Sequence, residues 1–192
     1  MFSLSCIELI NVDTILNYSE LINEFYMKKT ALLLGTSRQK GNTSDLVQAI
    51  VDKTGLTVYD LKDYNISPYD YEHNNIDDDF IPLIEKLLKF DHIVFASPVY
   101  WYSMSAQMKT FFDRLSDLLH VKKELGRKLR GKDSSILSTG ASPVAERSFE
   151  ETFINSFDYL DMNYKGMYYC YCDGSFSENE HKHTIDKFIK KL

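Results

Sequence analysis

The chain has 192 residues, enough for one domain with a sizeable hydrophobic core. Its formal net charge of −6 argues against a nucleic-acid-binding surface, which needs a basic face. No apolar run approaches the roughly 20 residues that cross a membrane, and residues 1–26 lack the layout of a secretory signal. We therefore expect a cytoplasmic protein that binds neither nucleic acid nor membranes.

Three cysteines, Cys6, Cys170 and Cys172, form no framework pattern, which favours a reducing compartment. Cys170 and Cys172 are two residues apart in an apolar run, so in a strand they share one face. The favoured interpretation is that both are small buried hydrophobic residues, and a redox role is the alternative.

Residues 1–28 are predicted to be an N-terminal extension. Apolar residues between Asn11 and Phe25 recur at roughly helical spacing, which predicts a helix there. Met27 stands just before the first strong strand, as a bacterial start residue would. The extension is therefore either a helical addition or the result of an early start codon, and the sequence does not separate the two.

From residue 29 to residue 192, predicted strands and helices alternate in a single domain. This alternation indicates an α/β domain with a mainly parallel sheet. Residues 77–79, three aspartates, suit the first turn of a helix because they oppose the helix dipole. The predicted strands are residues 30–35, 56–61, 92–97, 133–139 and 164–172, and the predicted helices are residues 43–54, 77–89, 104–119, 144–162 and 178–191.

Ligands of parallel α/β sheets bind beyond the carboxyl ends of the strands. The candidate ligand-binding loops are therefore residues 36–42, 98–103 and 140–143, which follow the first, third and fourth predicted strands. The first of these loops is rich in hydroxyl and amide side chains, contains Arg38, and leads directly into a helix. Backbone N–H groups at such a helix start favour an anion, so this loop predicts a phosphate site, with an ordinary capped turn as the alternative.

The second loop is aromatic. Trp101, the only tryptophan, lies between Tyr100 and Tyr102 just past a strand end. Flat rings in that position suit contact with a planar ligand, although packing in the core is the alternative. Further along, we expect Asp113 and Arg114 to pair or cap locally. In the third loop, residues 138–143 are small and give a ligand access to the backbone.

Together, the three loops resemble those of the flavodoxin-like NAD(P)H-dependent FMN reductases and quinone reductases, over about residues 29–192. Residues 35–43 resemble the family's phosphate loop, residues 97–114 its flavin-ring segment, and residues 138–140 its third flavin loop. The segment at 97–114 is the most specific of the three. The resemblance implies a flavodoxin-like three-layer sandwich with a five-stranded parallel sheet of order 2-1-3-4-5, helices on both faces, bound FMN and a homodimer.

The resemblance also implies the cofactor contacts. It assigns no catalytic acid or base, because flavin N5 carries the chemistry. The residues that it places at the phosphate are Thr36, Ser37, Arg38, Asn42 and Thr43; those along the isoalloxazine are Pro98, Val99, Tyr100, Trp101 and Ser103; and those at its other edge are Thr139, Gly140 and Ala141.

The implied activity is hydride transfer from NADH or NADPH through FMN to a quinone, nitro-aromatic or flavin acceptor. No nucleotide fingerprint separates NADH from NADPH. The alternative is an FMN-binding electron carrier or regulatory flavoprotein without nicotinamide turnover. The net negative charge of the chain would favour docking of such a carrier to a basic redox partner. The partner that the resemblance implies is a small-molecule electron acceptor.

Metal chemistry is not expected. Iron–sulfur relatives of the family carry a cysteine cluster near the position of residues 66–77, and this stretch contains no cysteine, so we expect no cluster. His181 and His183 lie two apart and do not share a helix face, which favours a solvated helix start over a metal site. The same solvated interpretation is applied to the isolated His73, His92 and His120.

Overall fold

The structure is a computed structural model and describes residues 28–192. The predicted N-terminal helix therefore lies outside the described residues. Five parallel strands form one sheet in the order β2-β1-β3-β4-β5, which confirms the predicted order. The strands are β1 (Thr30–Leu34), β2 (Thr57–Asp60), β3 (His92–Ala96), β4 (Asp133–Gly140) and β5 (Asn163–Tyr171).

Helices cover both faces of the sheet, which confirms the three-layer sandwich. Side chains alternate across each strand, so Leu33 of β1 packs into one core and Leu32 into the other. Helices α2, α3 and α6 contribute to the first core, and α1 and α7 to the second. The helices are α1 (Asn42–Thr54), α2 (Phe80–Leu87), α3 (Ala106–Arg114), α4 (Asp117–His120), α5 (Lys123–Gly126), α6 (Arg147–Tyr159) and α7 (Glu178–Ile189).

The prediction that residues 104–119 form one helix is wrong. Helix α3 ends at Arg114, and the N–H groups of Leu115 and Ser116 donate to the carbonyls three residues earlier instead of four. This tightening separates α3 from the short α4. Helix α2 likewise begins at Phe80 rather than at residue 77.

Asp113 and Arg114 both form local ion pairs, as expected, but with other partners than each other. Arg114 is fully buried and forms ion pairs with Asp78 and with Asp117, whereas Asp113 pairs with Lys109 on the helix surface. Asp78 also accepts a hydrogen bond from the backbone N–H of Ser67. The aspartates before α2 therefore hold the loop that precedes that helix.

Two histidines are not solvated as expected. His92, in β3, is buried, and its Nε2 lies 2.9 Å from Ser135 Oγ. His73 Nδ1 lies 2.8 Å from a carboxylate oxygen of the buried Asp117. Cys170 and Cys172 are both free and buried, as predicted.

Within residues 28–192, no helix is long and apolar enough to cross a membrane. No group of three or more histidine, cysteine, aspartate or glutamate side chains in that range is arranged to hold a metal ion.

Candidate active site

The loops after β1, β3 and β4 meet in one cleft at the carboxyl edge of the sheet. The cleft encloses about 580 Å³, open solvent included. Its lining confirms that these loops lie together, and it adds a residue from the end of β5 that the sequence analysis did not assign to a site. The lining residues are Thr36, Arg38, Gly41, Asn42, Thr43, Pro98, Val99, Tyr100, Thr139, Gly140, Ala141 and Cys172.

The N-terminus of α1 forms one end of this cleft. The first intrahelical hydrogen bond runs from Asp45 N–H to the carbonyl of Gly41 (2.9 Å), and no side chain caps the helix. Within the described chain, the backbone N–H groups of residues 42–44 therefore have no partner, and the hydroxyl of Ser44 is buried without one. Unpaired donors at the positive end of a helix dipole are suited to bind an anion.

Arg38 adds a positive charge to that end. It is exposed, and no other charged side chain of the described residues lines the cleft. Thr36 is buried beside it, and Thr36 Oγ1 accepts a weak hydrogen bond from Arg38 N–H (3.4 Å). Ser37 lies outside the lining, where its hydroxyl donates to Gln107 Oε1 (3.2 Å).

Hydroxyl groups join the loops to one another beneath the cleft. Ser105 Oγ donates to the carbonyl of Gly35 (2.7 Å), and Ser105 N–H donates to Ser97 Oγ (2.9 Å). Ser138 Oγ donates to the carbonyl of Ser97 (2.7 Å). All three serines are fully buried. These bonds fix the three strand ends relative to each other, so the cleft is formed in advance of any ligand.

A second cavity of about 560 Å³, open solvent included, continues from the first and shares Val99, Gly140 and Ala141 with it. Of the remaining ring-side predictions, Trp101 lines this cavity, Pro98 and Tyr100 line the first, and Ser103 lines neither. Aromatic and small side chains dominate the second cavity. Its other lining residues are Tyr102, Ser142, Val144, Ala145, Glu146 and Tyr169.

A tight turn presents the two aromatic residues to that cavity. Tyr100 and Ser103 exchange both backbone hydrogen bonds (2.8 and 3.0 Å), which leaves Trp101 and Tyr102 as the two central residues of a hairpin. Both have positive φ, +47° and +65°, a conformation that bulky residues rarely adopt. Trp101 is 93% exposed. Backbone strain held at a ligand cavity is typical of a functional site.

An anion-binding helix end continuous with an aromatic cavity fits an elongated ligand that carries a phosphate at one end and a flat ring system at the other. The sequence model of the family described as NADPH-dependent FMN reductase matches residues 28–175. The chain belongs to this family. It is an NAD(P)H-dependent, FMN-containing oxidoreductase, which confirms the predicted enzyme class, the FMN cofactor and the nicotinamide reductant.

Curated relatives of this FMN reductase come from Bacillus subtilis (strain 168). The chain is 27% identical over 148 residues to YwqN, provisionally named an NAD(P)H-dependent FMN-containing oxidoreductase, a match that covers 72% of this chain and 82% of YwqN. It is 26% identical over 159 residues to YdeQ, an uncharacterised NAD(P)H oxidoreductase, a match that covers 76% of this chain and 75% of YdeQ.

Among solved structures, this chain is similar to the Trp repressor binding protein from Bacillus subtilis, with a TM-score of 0.69 and 21% identity. The match covers 85% of this chain and 97% of that one. At this identity the likeness concerns the fold, and it supports the flavodoxin-like assignment.

Gly140 lies where the cleft leaves little room for a side chain. A Cβ atom built there would lie 2.6 Å from the hydroxyl oxygen of Tyr169 and 3.3 Å from Cβ of Val99. The Tyr169 hydroxyl donates to the carbonyl of Ser142 (2.6 Å), and burial raises the pKa of Tyr169. A side chain at position 140 would therefore have to displace the Tyr169 hydroxyl from its place against the third loop.

Two residues reach the cleft from β5 and were not predicted from the sequence. The sequence predicts Cys172 to be a buried packing residue and gives Tyr169 no role, but β5 pairs with β4 and its carboxyl end borders the third loop. Cys172 N–H donates to the carbonyl of Gly140 (2.8 Å). The signal that would have found them is the sheet order, because strand ends next to β4 must border the same cleft.

Proposed function

We propose that the chain binds FMN along this two-part cleft and passes electrons from NADH or NADPH to a planar acceptor of the quinone, nitro-aromatic or flavin type. The observation that carries the proposal is the continuity between the uncapped end of α1 and the cavity beneath Trp101 and Tyr102. A phosphate bound at the first end would direct the ring of the same ligand toward the second.

The phosphate end acts through charge and backbone donors. In this proposal, the guanidinium of Arg38 and the N–H groups of residues 42–44 hold the FMN phosphate. Thr36 and Thr43 stay as predicted phosphate contacts through their hydroxyls. The Ser37 hydroxyl would have to leave Gln107 to join them. Thr43 also lies within hydrogen-bond distance of Thr139, which links the phosphate end to the third loop.

The ring end acts through shape and polarity. When bound, FMN supplies the redox chemistry by taking a hydride at N5 and giving the electrons to the acceptor. The N–H groups of Ala141 and Ser142 have no partner within residues 28–192, so they are available to stabilise negative charge on the polar edge of the ring. Trp101 and Tyr102 at the rim offer flat surfaces for the nicotinamide and for the acceptor.

A spectroscopic titration tests the function. We expect the purified protein to bind FMN and turn yellow, and NADH or NADPH to bleach it under anaerobic conditions. Turnover is then followed as NAD(P)H oxidation with menadione, a nitro-aromatic compound and free FMN as acceptors. A colourless protein that ignores added FMN would contradict the proposal. Bleaching by dithionite but by neither nicotinamide would point to the alternative, an electron carrier or regulatory flavoprotein.

Cytoplasmic location and a homodimer stay predictions that come from the sequence and the family resemblance. The mass of the FMN-loaded protein, measured by light scattering during size-exclusion chromatography, tests the second of these. A mass of twice the 22.3 kDa chain is expected, and a monomer would contradict the prediction.

A further inference from the structure

The loop between β5 and α7, residues 172–177, is tied to the first turn of α1 by one side chain. Asn42 Nδ2 donates to the carbonyl of Gly174 (2.7 Å), and Asn42 Oδ1 accepts from the backbone N–H of Phe176 (2.9 Å). Both ends of the amide are therefore bonded to the β5–α7 loop. The backbone N–H of Asn42, in contrast, remains unpaired in the described chain.

This loop is packed, and it begins at the cleft wall. Cys172, its first residue, is buried and lines the cleft. Cys172 Sγ lies 3.8 Å from His181 Nε2, and the ring of His181 stacks on that of Phe176 at 5.5 Å between centroids. A displacement of Phe176 would therefore be passed through His181 to Cys172. The bonds from Asn42 hold that packed unit in place.

We propose that Asn42 is a positioning residue: its side chain clamps the β5–α7 loop onto α1 so that Cys172 closes the fourth wall of the cofactor cleft. The proposal rests on the proposed binding of FMN in this cleft. In this proposal the two parts of Asn42 have separate roles: the backbone N–H faces the anion, and the side-chain amide holds the loop. It also adds the end of β5 to the three loops that the sequence identifies.

The comparison of FMN with riboflavin separates this role from direct contact with phosphate. A phosphate ligand matters only to FMN, whereas a wall of the cleft matters to both flavins. We expect Asn42→Ala to lower the affinity for both flavins by the same factor, about tenfold for two lost hydrogen bonds. Arg38→Ala is the matched control and should lower the affinity for FMN without changing the affinity for riboflavin. Binding is measured by quenching of flavin fluorescence in cofactor-free protein.

The outcomes of this titration are unambiguous. Loss of FMN affinity alone in Asn42→Ala would overturn the proposal and make Asn42 a phosphate ligand. Unchanged affinity for both flavins would overturn it too. If the unmodified protein binds neither flavin, the proposed function fails, and the clamp is then decided by a second measurement that needs no flavin.

The second measurement is the reaction rate of Cys172 with a thiol reagent in cofactor-free protein. Burial raises the pKa of Cys172, so the clamped thiol should react slowly. Asn42→Ala should speed this reaction several-fold, because the released loop exposes the sulfur. The same proteins carrying Cys172→Ser report the background from the other cysteines. An unchanged rate would overturn the clamp.

Two glycine variants distinguish release of the β5–α7 loop from a general loss of folding. Gly174 has φ +117°, with nothing within 4 Å of an added Cβ, so Gly174→Ala strains the loop at the clamp without a clash. Gly166, in β5, has φ +115° and equally open surroundings. We expect Gly174→Ala to reproduce the effects of Asn42→Ala and Gly166→Ala to leave flavin affinity and the thiol rate unchanged. Equal effects of the two glycine variants would overturn the proposal.

Discussion

The side-chain hydroxyls of Thr43 and Thr139 lie 2.7 Å apart in a buried position, where they join the start of α1 to the end of β4. Thr43 belongs to the phosphate end of the cleft and Thr139 to the third loop, so this bond couples the two ends of the site. Either oxygen can be the donor. A change at one residue therefore leaves the other hydroxyl buried without its partner.

Thr139→Val tests this coupling with a side chain of the same shape. The orphaned Thr43 hydroxyl should lower the free energy of unfolding by about 1–2 kcal/mol and weaken FMN several-fold. The double variant with Thr43→Val should lose less than the sum of the single variants, because it leaves neither hydroxyl orphaned. Urea denaturation and FMN titration measure both effects. Thr57→Val, on an exposed position of β2, is the control, and additive losses would contradict the coupling.

The strained turn at Trp101 and Tyr102 predicts a gain in stability at the expense of function. Replacing the pair with Asn-Gly, the residues that favour two positive φ angles, should raise the free energy of unfolding by about 1 kcal/mol. The same change removes both rings from the cavity rim, so KM for menadione should rise. Urea denaturation of cofactor-free protein and steady-state kinetics give the two readings. A variant less stable than the unmodified protein would contradict the inference that this turn is strained.

Glu146 predicts a charge preference among acceptors. It is the only charged side chain among the described residues that line the second cavity, so it should disfavour anionic acceptors. Glu146→Lys should raise kcat/KM for a sulfonated naphthoquinone relative to menadione by a few-fold, and more so at low ionic strength. Glu151→Lys, in the helix α6 that follows Glu146 but outside the lining, is the control. An equal ratio in the two proteins would show that Glu146 does not act on the acceptor.

His92 predicts a loss of stability in mild acid. Burial is the largest cause that lowers its pKa, from 6.5 to about 4. Between these values the unfolded chain binds a proton that the folded chain does not, so the free energy of unfolding falls as the pH drops from 6.5 toward 4. The full effect is on the order of 3 kcal/mol. Urea denaturation across this range should show a shallower slope for His92→Asn, and an identical slope would contradict the assignment.

Arg114 predicts the largest loss of stability. Its guanidinium lies fully buried between Asp78 and Asp117. Arg114 Cζ also lies 4.9 Å from the centroid of the Phe80 ring. Arg114→Met would leave two acidic groups without their cation and should cost about 3–5 kcal/mol. Arg114→Lys should recover only part of this, because an ammonium cannot reproduce the planar fork. Lys109→Met, which breaks a surface pair on the same helix, should change stability little.

The strands and the three loops were predictable because their signals are local. The run at Leu32–Leu34 is apolar at every position, and Gly35 and Arg38 follow within one short loop. The partner of Arg114 was not predictable, because Asp78 lies 36 residues away and reaches it only after the chain has folded. Cys172 was missed for the same reason, since its place in the cleft depends on which strand pairs with β4.

The exposed indole of Trp101 gives this protein an intrinsic optical signal. The sequence contains one tryptophan, and it stands at the rim of the cavity where the flavin ring is proposed to bind. Its emission in cofactor-free protein should have the long wavelength of a water-exposed indole. A ring arriving beside it would quench that emission, so occupancy could be followed in the native chain without labelling. Tyrosine emission from thirteen residues is excluded by selecting an excitation wavelength that only indole absorbs.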